Sequence, residues 1–173
     1  MNKKQEISIK NAAASSCRPF KGRRMKYYVL EPEVAGNFGG NTIFIDRSAR
    51  PPLVKRFHYE FNVWLGDPIL EAVCCYIVTE SLRNQILSLE AVGVSFGPVE
   101  VSTTYPFDEV SKNRELPAFV WLQVNGRAGL DDFGYSLAHT LVVSDRILNI
   151  LRDAGMKHCD VADFTSEAVN MQP

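Results

Sequence analysis

The spacing of hydrophobic and polar residues predicts mostly short strands with a few helices. Tyr59, Phe61, Val63 and Leu65 recur at every second position, which predicts one apolar face of a strand. Other short segments rich in β-branched and aromatic residues are bounded by glycine, proline or asparagine, as strands commonly are. The predicted strands cover residues 27–30, 42–45, 54–65, 75–78, 92–96, 99–103, 119–124, 141–143 and 157–161.

Two of these strands lead directly into predicted helices. Thr79 and Ser144 each follow an apolar strand, and a hydroxyl side chain at that point can cap the first turn of a helix. The apolar residues that follow are spaced for one helical face in both segments, and Gly155 suits the end of the second helix. The sequence therefore predicts a single α+β domain, with a mainly antiparallel or mixed sheet and a few packed helices.

Composition is consistent with one globular domain. The chain has 173 residues, of which 46% are hydrophobic, enough for one substantial core but not comfortably for two. It contains neither the roughly 20-residue apolar run of a membrane-spanning helix nor a secretory signal. We therefore expect a cytoplasmic protein with a disordered basic leader (1–24), an α+β domain (25–165) and a flexible tail (166–173).

Charge is distributed unevenly between the leader and the predicted domain. Seven basic residues and one acidic residue precede Met25, whereas 12 basic and 19 acidic residues give the remainder a formal charge of −7. An acidic domain repels phosphate backbones and attracts basic partners. We therefore expect a basic protein partner, and neither nucleic acid nor membrane, although an acidic surface can also serve solubility alone.

No motif for a cofactor or a metal stands out. The four cysteines do not form a CxxC pair, and adjacent Cys74 and Cys75 would point to opposite faces of a strand. The glycine-rich segment 36–40 lacks both phosphate-binding patterns. We expect reduced thiols, no cofactor and no bound metal.

The adjacent carboxylates Asp131 and Asp132 are the strongest candidates for chemistry. Gly129 and Gly134 flank them, which favours a turn or a helix cap in which the carboxylates accept backbone N–H groups. An alternative is a small hydrolase that uses Asp131 and Asp132 with His139 as a general base. A purely structural role for His139 is the competing interpretation.

Five segments occur in an order that resembles a bacterial immunity-protein family. That family was long classified as a domain of unknown function and was assigned to polymorphic toxin systems by gene neighbourhood. The resemblance extends from about Met25 to Cys159 and carries no catalytic motif. The segments are YYVLEPE (27–33), WLGD (64–67), PAFVWL (117–122), the glycine-rich stretch 126–134 and LVVS (141–144).

The resemblance implies a protein that binds one cognate toxin domain and blocks it without turnover. A binding module for a protein other than a toxin is a further alternative. We expect partner contacts at acidic residues in or beside predicted loops, together with one aromatic anchor. The predicted contact residues are Glu31, Glu33, Trp64, Asp67, Asp131 and Asp132.

Overall fold

The computed structural model describes residues 25–110 and 115–165. The predicted leader (1–24) and the predicted tail (166–173) lie outside the described residues. In chain order the elements are β1 (Tyr27–Glu31), β2 (Gly36–Phe38), β3 (Ile43–Asp46), β4 (Leu53–Phe61), β5 (Ile69–Ala72), β6 (Cys75–Thr79), α1 (Glu80–Ser88), β7 (Val94–Gly97), β8 (Val99–Thr103), α2 (Tyr105–Val110), β9 (Phe119–Val124), β10 (Phe133–Tyr135), β11 (Leu141–Ser144), α3 (Asp145–Asp153) and β12 (Asp160–Asp163).

The strands of the described residues form three sheets. The β1 sheet has the antiparallel order β10-β11-β1-β12, and the β6 sheet has the antiparallel order β5-β6-β9-β7. In the β4 sheet, β2 and β3 pair antiparallel with β4, and β8 pairs parallel with it. The predicted single α+β domain with antiparallel and mixed sheets is confirmed.

The β6 sheet is buried on both faces and contributes to two hydrophobic cores. Tyr76 and Val78 belong to the first core, whereas the alternating residues Cys75 and Ile77 belong to the second. Because successive side chains of a strand point to opposite faces, a strand between two cores is apolar throughout. The first core includes residues of the β1 sheet, α1 and α3, and the second includes Phe57, Tyr59 and Phe61 of β4.

The helices α1 and α3 pack against each other beside the first core. Leu82 and Ile86 of α1 are buried, as are Ile147, Leu148 and Leu151 of α3, which matches the predicted apolar faces. Gly155 lies just beyond α3 with φ of 99°, the left-handed conformation in which glycine commonly ends a helix. Within the described ranges, no helix has the length and hydropathy needed to cross a membrane.

The structure corrects several sequence-based element assignments. The strand predicted over 54–65 ends at Phe61, so Val63 and Leu65 are exposed. Cys74 is not a strand residue, because Val73 and Cys74 both have positive φ and form the tight turn between β5 and β6. Four short elements, β2, β5, β10 and α2, were not predicted.

Two glycines bring the ends of three strands into close contact. A Cβ atom on Gly93 would lie 2.5 Å from the carbonyl oxygen of Phe133, and one on Gly126 would lie 2.4 Å from the same atom. These distances are shorter than any normal contact, so only glycine fits at either position. The close approach of Gly93 and Gly126 to the Phe133 carbonyl fixes the backbone immediately after Asp131 and Asp132.

Candidate functional site

The six predicted contact residues form two groups at opposite ends of β1. Glu31 ends β1 and pairs across the sheet with Asp160, whereas Tyr27 begins β1 and donates a 3.0 Å hydrogen bond from its hydroxyl to the carbonyl of Leu130. One group lies at and beyond the end of β1 that is formed by Glu31, and the other lies next to Leu130 at the Tyr27 end. The first group is Glu31, Glu33, Trp64 and Asp67, and the second is Asp131 and Asp132.

Glu33 holds the WLGD segment in place. Its side chain is buried and accepts hydrogen bonds from the backbone N–H of Leu65 at 2.7 Å and of Asp67 at 3.4 Å. The indole Nε1 of Trp64 donates to the backbone carbonyl of Asp67 at 3.0 Å, and its ring packs edge-on against Phe119. Glu33 and Trp64 are therefore engaged in shaping this loop.

Asp67 fixes the connection between α3 and β12. It is 1% exposed and accepts from the backbone N–H of Lys157 at 3.0 Å and of His158 at 2.7 Å. The Nδ1 atom of His158 lies 2.9 Å from the same carboxylate. Because an ionised carboxylate can only accept, Nδ1 carries the proton in the neutral ring and Nε2 keeps its lone pair.

An acidic cavity of about 470 Å³ borders this group. Its lining includes Glu31, Glu33, Glu71, Asp160 and His158. Burial raises the pKa of Glu71; a hydrogen bond from the N–H of Cys74 opposes the shift, and the charge of Glu31 adds to it.

Two residues that line this cavity, Glu33 and His158, and the buried Asp67 beside them are close enough to hold a metal ion. One ligand atom from each of Glu33, Asp67 and His158 lies within 4.8 Å of the other two. This is a mixed set of carboxylate oxygen and imidazole nitrogen, which suits several divalent cations.

Asp131 and Asp132 contact different partners. Asp131 accepts from the backbone N–H of Arg127 at 2.7 Å and stabilises the turn before β10, which confirms the predicted turn role for this residue. Asp132 is 2% exposed and accepts from the backbone N–H of Val92 at 2.9 Å, far away in sequence. The two carboxylates do not converge on one cation.

The buried Asp132 also accepts hydrogen bonds from Ser144 and from the partly exposed Arg146, with which it forms an ion pair. The hydroxyl of Ser144 donates to it at 2.7 Å, and the Nε of Arg146 donates at 2.6 Å, with a second hydrogen bond from the guanidinium. Burial alone would raise the pKa of Asp132, but hydrogen bonds from Arg146, Val92 and Ser144 and the charge of Arg146 outweigh burial. The pKa of Asp132 is lowered as a result.

The residues of the predicted hydrolase are separated along the β10–β11 hairpin. Phe133, next to Asp132, pairs with Val143, whereas His139 lies in the turn that closes the opposite end of the hairpin. His139 has φ of 62° within this turn. The geometry therefore does not bring Asp131, Asp132 and His139 together as an acid and base pair.

Sequence reasoning missed a hydrogen-bonded row on the β4 sheet. His58 is 5% exposed; its Nδ1 accepts from the backbone N–H of Asn41 at 3.1 Å, and its Nε2 lies 2.8 Å from the Ser102 hydroxyl. Because Nδ1 accepts, Nε2 carries the proton and donates to Ser102. His58 therefore cannot take a proton from Ser102, and the arrangement is not that of an activated serine. The side chain of Asn41 also donates to Glu100, which lies two residues before Ser102 in β8. Period-two spacing between Glu100 and Ser102 was therefore the available signal that both lie on one face.

A larger groove of about 700 Å³ lies on the outer face of the β1 sheet. Val29, Tyr135, Ala138 and Phe164 give it an apolar lining, and Arg127 and Asp163 supply opposite charges. The groove has the size of a ligand site, but the charges that it presents are balanced.

Comparison of the chain with protein-family models and with curated protein sequences finds no match.

Proposed function

We propose that this chain is an immunity protein that acts in the cytoplasm and neutralises a cognate bacterial toxin by direct, stoichiometric binding. The order of the five sequence segments supports this proposal through their resemblance to polymorphic-toxin immunity proteins. The internal roles of the segment residues agree with it, because Glu33, Asp67 and Asp132 each join distant parts of the fold. Residues that maintain a fold can be shared among proteins that bind different toxins.

The observation that most favours a basic toxin is a like-charge pair on adjacent strands. Glu31 of β1 and Asp160 of β12 lie directly opposite each other, and both are exposed. Like charges at such positions destabilise a sheet, and a positively charged partner surface would relieve their repulsion. We call Glu31 and Asp160 the acidic edge, and we propose that it contacts the toxin.

The predicted contact residues differ in how well they suit this role. Glu31 is exposed and Asp131 is partly exposed, so both remain candidate contacts. Glu33, Asp67 and Asp132 are buried and hydrogen-bonded, so their influence on binding would be indirect. Trp64 is half-buried and packs against Phe119.

The proposal is tested with the product of the adjacent gene. Co-expression with this chain should relieve its toxicity, and the two proteins should co-purify in equal amounts. If the neighbouring product is toxic, and this chain neither binds it nor restores growth, the proposed pairing is wrong. Binding to a protein whose expression does not impair growth would support the regulatory-module alternative instead.

The acidic edge is tested by charge reversal with a matched control. Asp160→Lys places an opposite charge beside Glu31, so the fold should keep its stability while toxin affinity falls by about tenfold or more. Asp153→Lys makes the same change in net charge at the exposed last residue of α3 and should leave affinity nearly unchanged. Equal affinities for the two variants, measured by calorimetry, would remove the acidic edge from the interface.

The hydrolase alternative predicts a different stoichiometry of toxin neutralisation. It requires Asp131, Asp132 and His139 to act on one substrate, but the two ends of the β10–β11 hairpin hold Asp132 and His139 apart. A hydrolase would also neutralise toxin at less than one equivalent. Protection that requires a full equivalent of this chain supports binding without turnover.

A further inference from the structure

We propose that Glu33, Asp67 and His158 form a binding site for a divalent transition-metal cation such as Mn²⁺ or Zn²⁺. The three residues come from three separate segments: the loop after β1, the WLGD segment and the connection between α3 and β12. A possible ligand atom from each lies within 4.8 Å of the other two. Small shifts of side chains would bring all three atoms onto one ion.

The Nδ1 atom of His158 lies beside the Asp67 carboxylate. It is 2.9 Å from the Oδ1 atom of Asp67, so the imidazole nitrogen of the proposed site is Nδ1. A bound cation would displace the proton from Nδ1, and the neutral ring would then carry its proton on Nε2. Asp67 is itself held beside Nδ1 by the backbone N–H groups of Lys157 and His158.

The charge around the site favours a cation. Glu33 is 7% exposed and Asp67 is 1% exposed, and among the described residues their hydrogen-bond donors are backbone N–H groups and His158 rather than a lysine or arginine. Of the described residues that line the acidic cavity, His158 alone can become positively charged. The strand register independently places Glu31 against Asp160 at the same cavity, adding repulsion that a cation would reduce.

The ligand types indicate which cations fit. Imidazole nitrogen together with carboxylate oxygen suits Zn²⁺ and Mn²⁺, whereas Ca²⁺ and Mg²⁺ prefer oxygen ligands alone. The cavity of about 470 Å³ has room for water molecules that would complete the coordination. A bound ion would join the three segments and stabilise the fold, whether or not a toxin is present.

The test uses the full chain after treatment with a chelator. Titration calorimetry with Mn²⁺ or Zn²⁺ should show saturable binding of one ion per chain, and the melting temperature should rise with metal concentration. Mn²⁺ is the more selective probe, because it binds thiolates poorly and the chain has three described free cysteines. If neither ion binds saturably, the proposal is wrong.

Two conservative variants locate the ion. His158→Asn keeps an N–H donor for Asp67 but removes the imidazole nitrogen that would bind the ion, and Glu33→Gln keeps an acceptor for the N–H of Leu65 but removes the charge. Each should weaken Mn²⁺ binding by about tenfold or more, with the circular dichroism of the metal-free protein unchanged. His139→Asn is the control, because His139 is not one of the three candidate ligands and asparagine tolerates the positive φ of its turn. Unchanged Mn²⁺ affinity in His158→Asn, or an equal loss in His139→Asn, would overturn the assignment.

Discussion

Buried carboxylates in this protein act as connectors between distant segments. Glu33 accepts from the N–H of Leu65, Asp67 from that of Lys157 and Asp132 from that of Val92, across 32, 90 and 40 residues. Each bond satisfies a backbone donor that a regular sheet or helix would otherwise pair. Removal of such a carboxylate would leave donors from another part of the chain without a partner.

Asp132→Asn should lower the free energy of unfolding by about 2–3 kcal/mol near neutral pH. The substitution removes the charge that pairs with Arg146, and hydrogen bonds to charged groups contribute more than neutral ones. Urea denaturation of the two proteins measures the difference. Asp131→Asn is the matched control; its partly exposed carboxylate has a local partner, so its effect should stay below about 1 kcal/mol.

The Asp132 contribution should also depend on pH. Its pKa in the folded protein is lowered from the ordinary value of 3.8, so the ionised form stabilises the fold above that pH. This stabilisation is lost as the pH falls through the folded-state pKa. The difference in free energy of unfolding between the original protein and Asp132→Asn should therefore shrink as the pH falls below the ordinary value of 3.8. A difference that stays constant below this pH would mean that the ion pair is not its source.

At the scale of elements, the two main helices begin with similar sequences but different contacts. The Thr79 hydroxyl accepts from the N–H of Leu82 and caps α1, whereas the Ser144 hydroxyl makes no such bond and donates to Asp132. A hydroxyl residue before a helix thus indicated both helix starts correctly, but only one of the two caps. The bond to the Asp132 carboxylate sets the orientation of the Ser144 hydroxyl, and no N–H group of the first turn of α3 donates to it.

Thr79→Ala should lower the free energy of unfolding by about 1 kcal/mol through loss of the cap. Ser81→Ala is the control in the same turn, since Ser81 is exposed, and it should change stability by less than about 0.5 kcal/mol. Chemical denaturation of the two variants separates loss of the cap from a general effect of alanine. Equal stabilities would contradict the capping role.

Local patterns predicted the long elements well and the short ones poorly. The bounds predicted for the strand Phe119–Val124 agree with the structure at both ends. Its mostly apolar sequence is preceded by Pro117 and followed by Gly126, which mark where the strand can begin and end. Glycine and asparagine disfavour strands, so the sequence does not predict the three-residue strand Gly36–Phe38. Its pairing with β4 depends on tertiary contacts that no window of sequence contains.

The contacts of the candidate site were also only partly predictable from local sequence. The turn role of Asp131 follows from nearby glycines and could be predicted, whereas the contact between Asp67 and His158 joins residues 91 positions apart. His158 had no local pattern that distinguished it from the other two histidines. Charge alone therefore predicted that Asp67 was an exposed contact, although its carboxylate is buried.

At the scale of the whole molecule, the two hydrophobic cores share one sheet. Val78 faces the first core and Ile77 faces the second, although they are neighbours in β6. A change in either core therefore alters the strand that supports the other. We expect the two cores to unfold together in one cooperative transition.

The tryptophans and the helices report on the two cores separately. Trp64 and Trp121 both pack against the second core, whereas α1 and α3 contribute to the first. Ile77→Ala should lower the free energy of unfolding by about 2–4 kcal/mol, because it leaves a cavity in the second core. If the cores are coupled through β6, tryptophan fluorescence and the far-ultraviolet circular dichroism of the helices should shift to the same lower denaturant midpoint.

Val78→Ala, on the opposite face, should shift both signals in the same way. Two separate midpoints, with Ile77→Ala moving only the fluorescence, would show that each core unfolds independently.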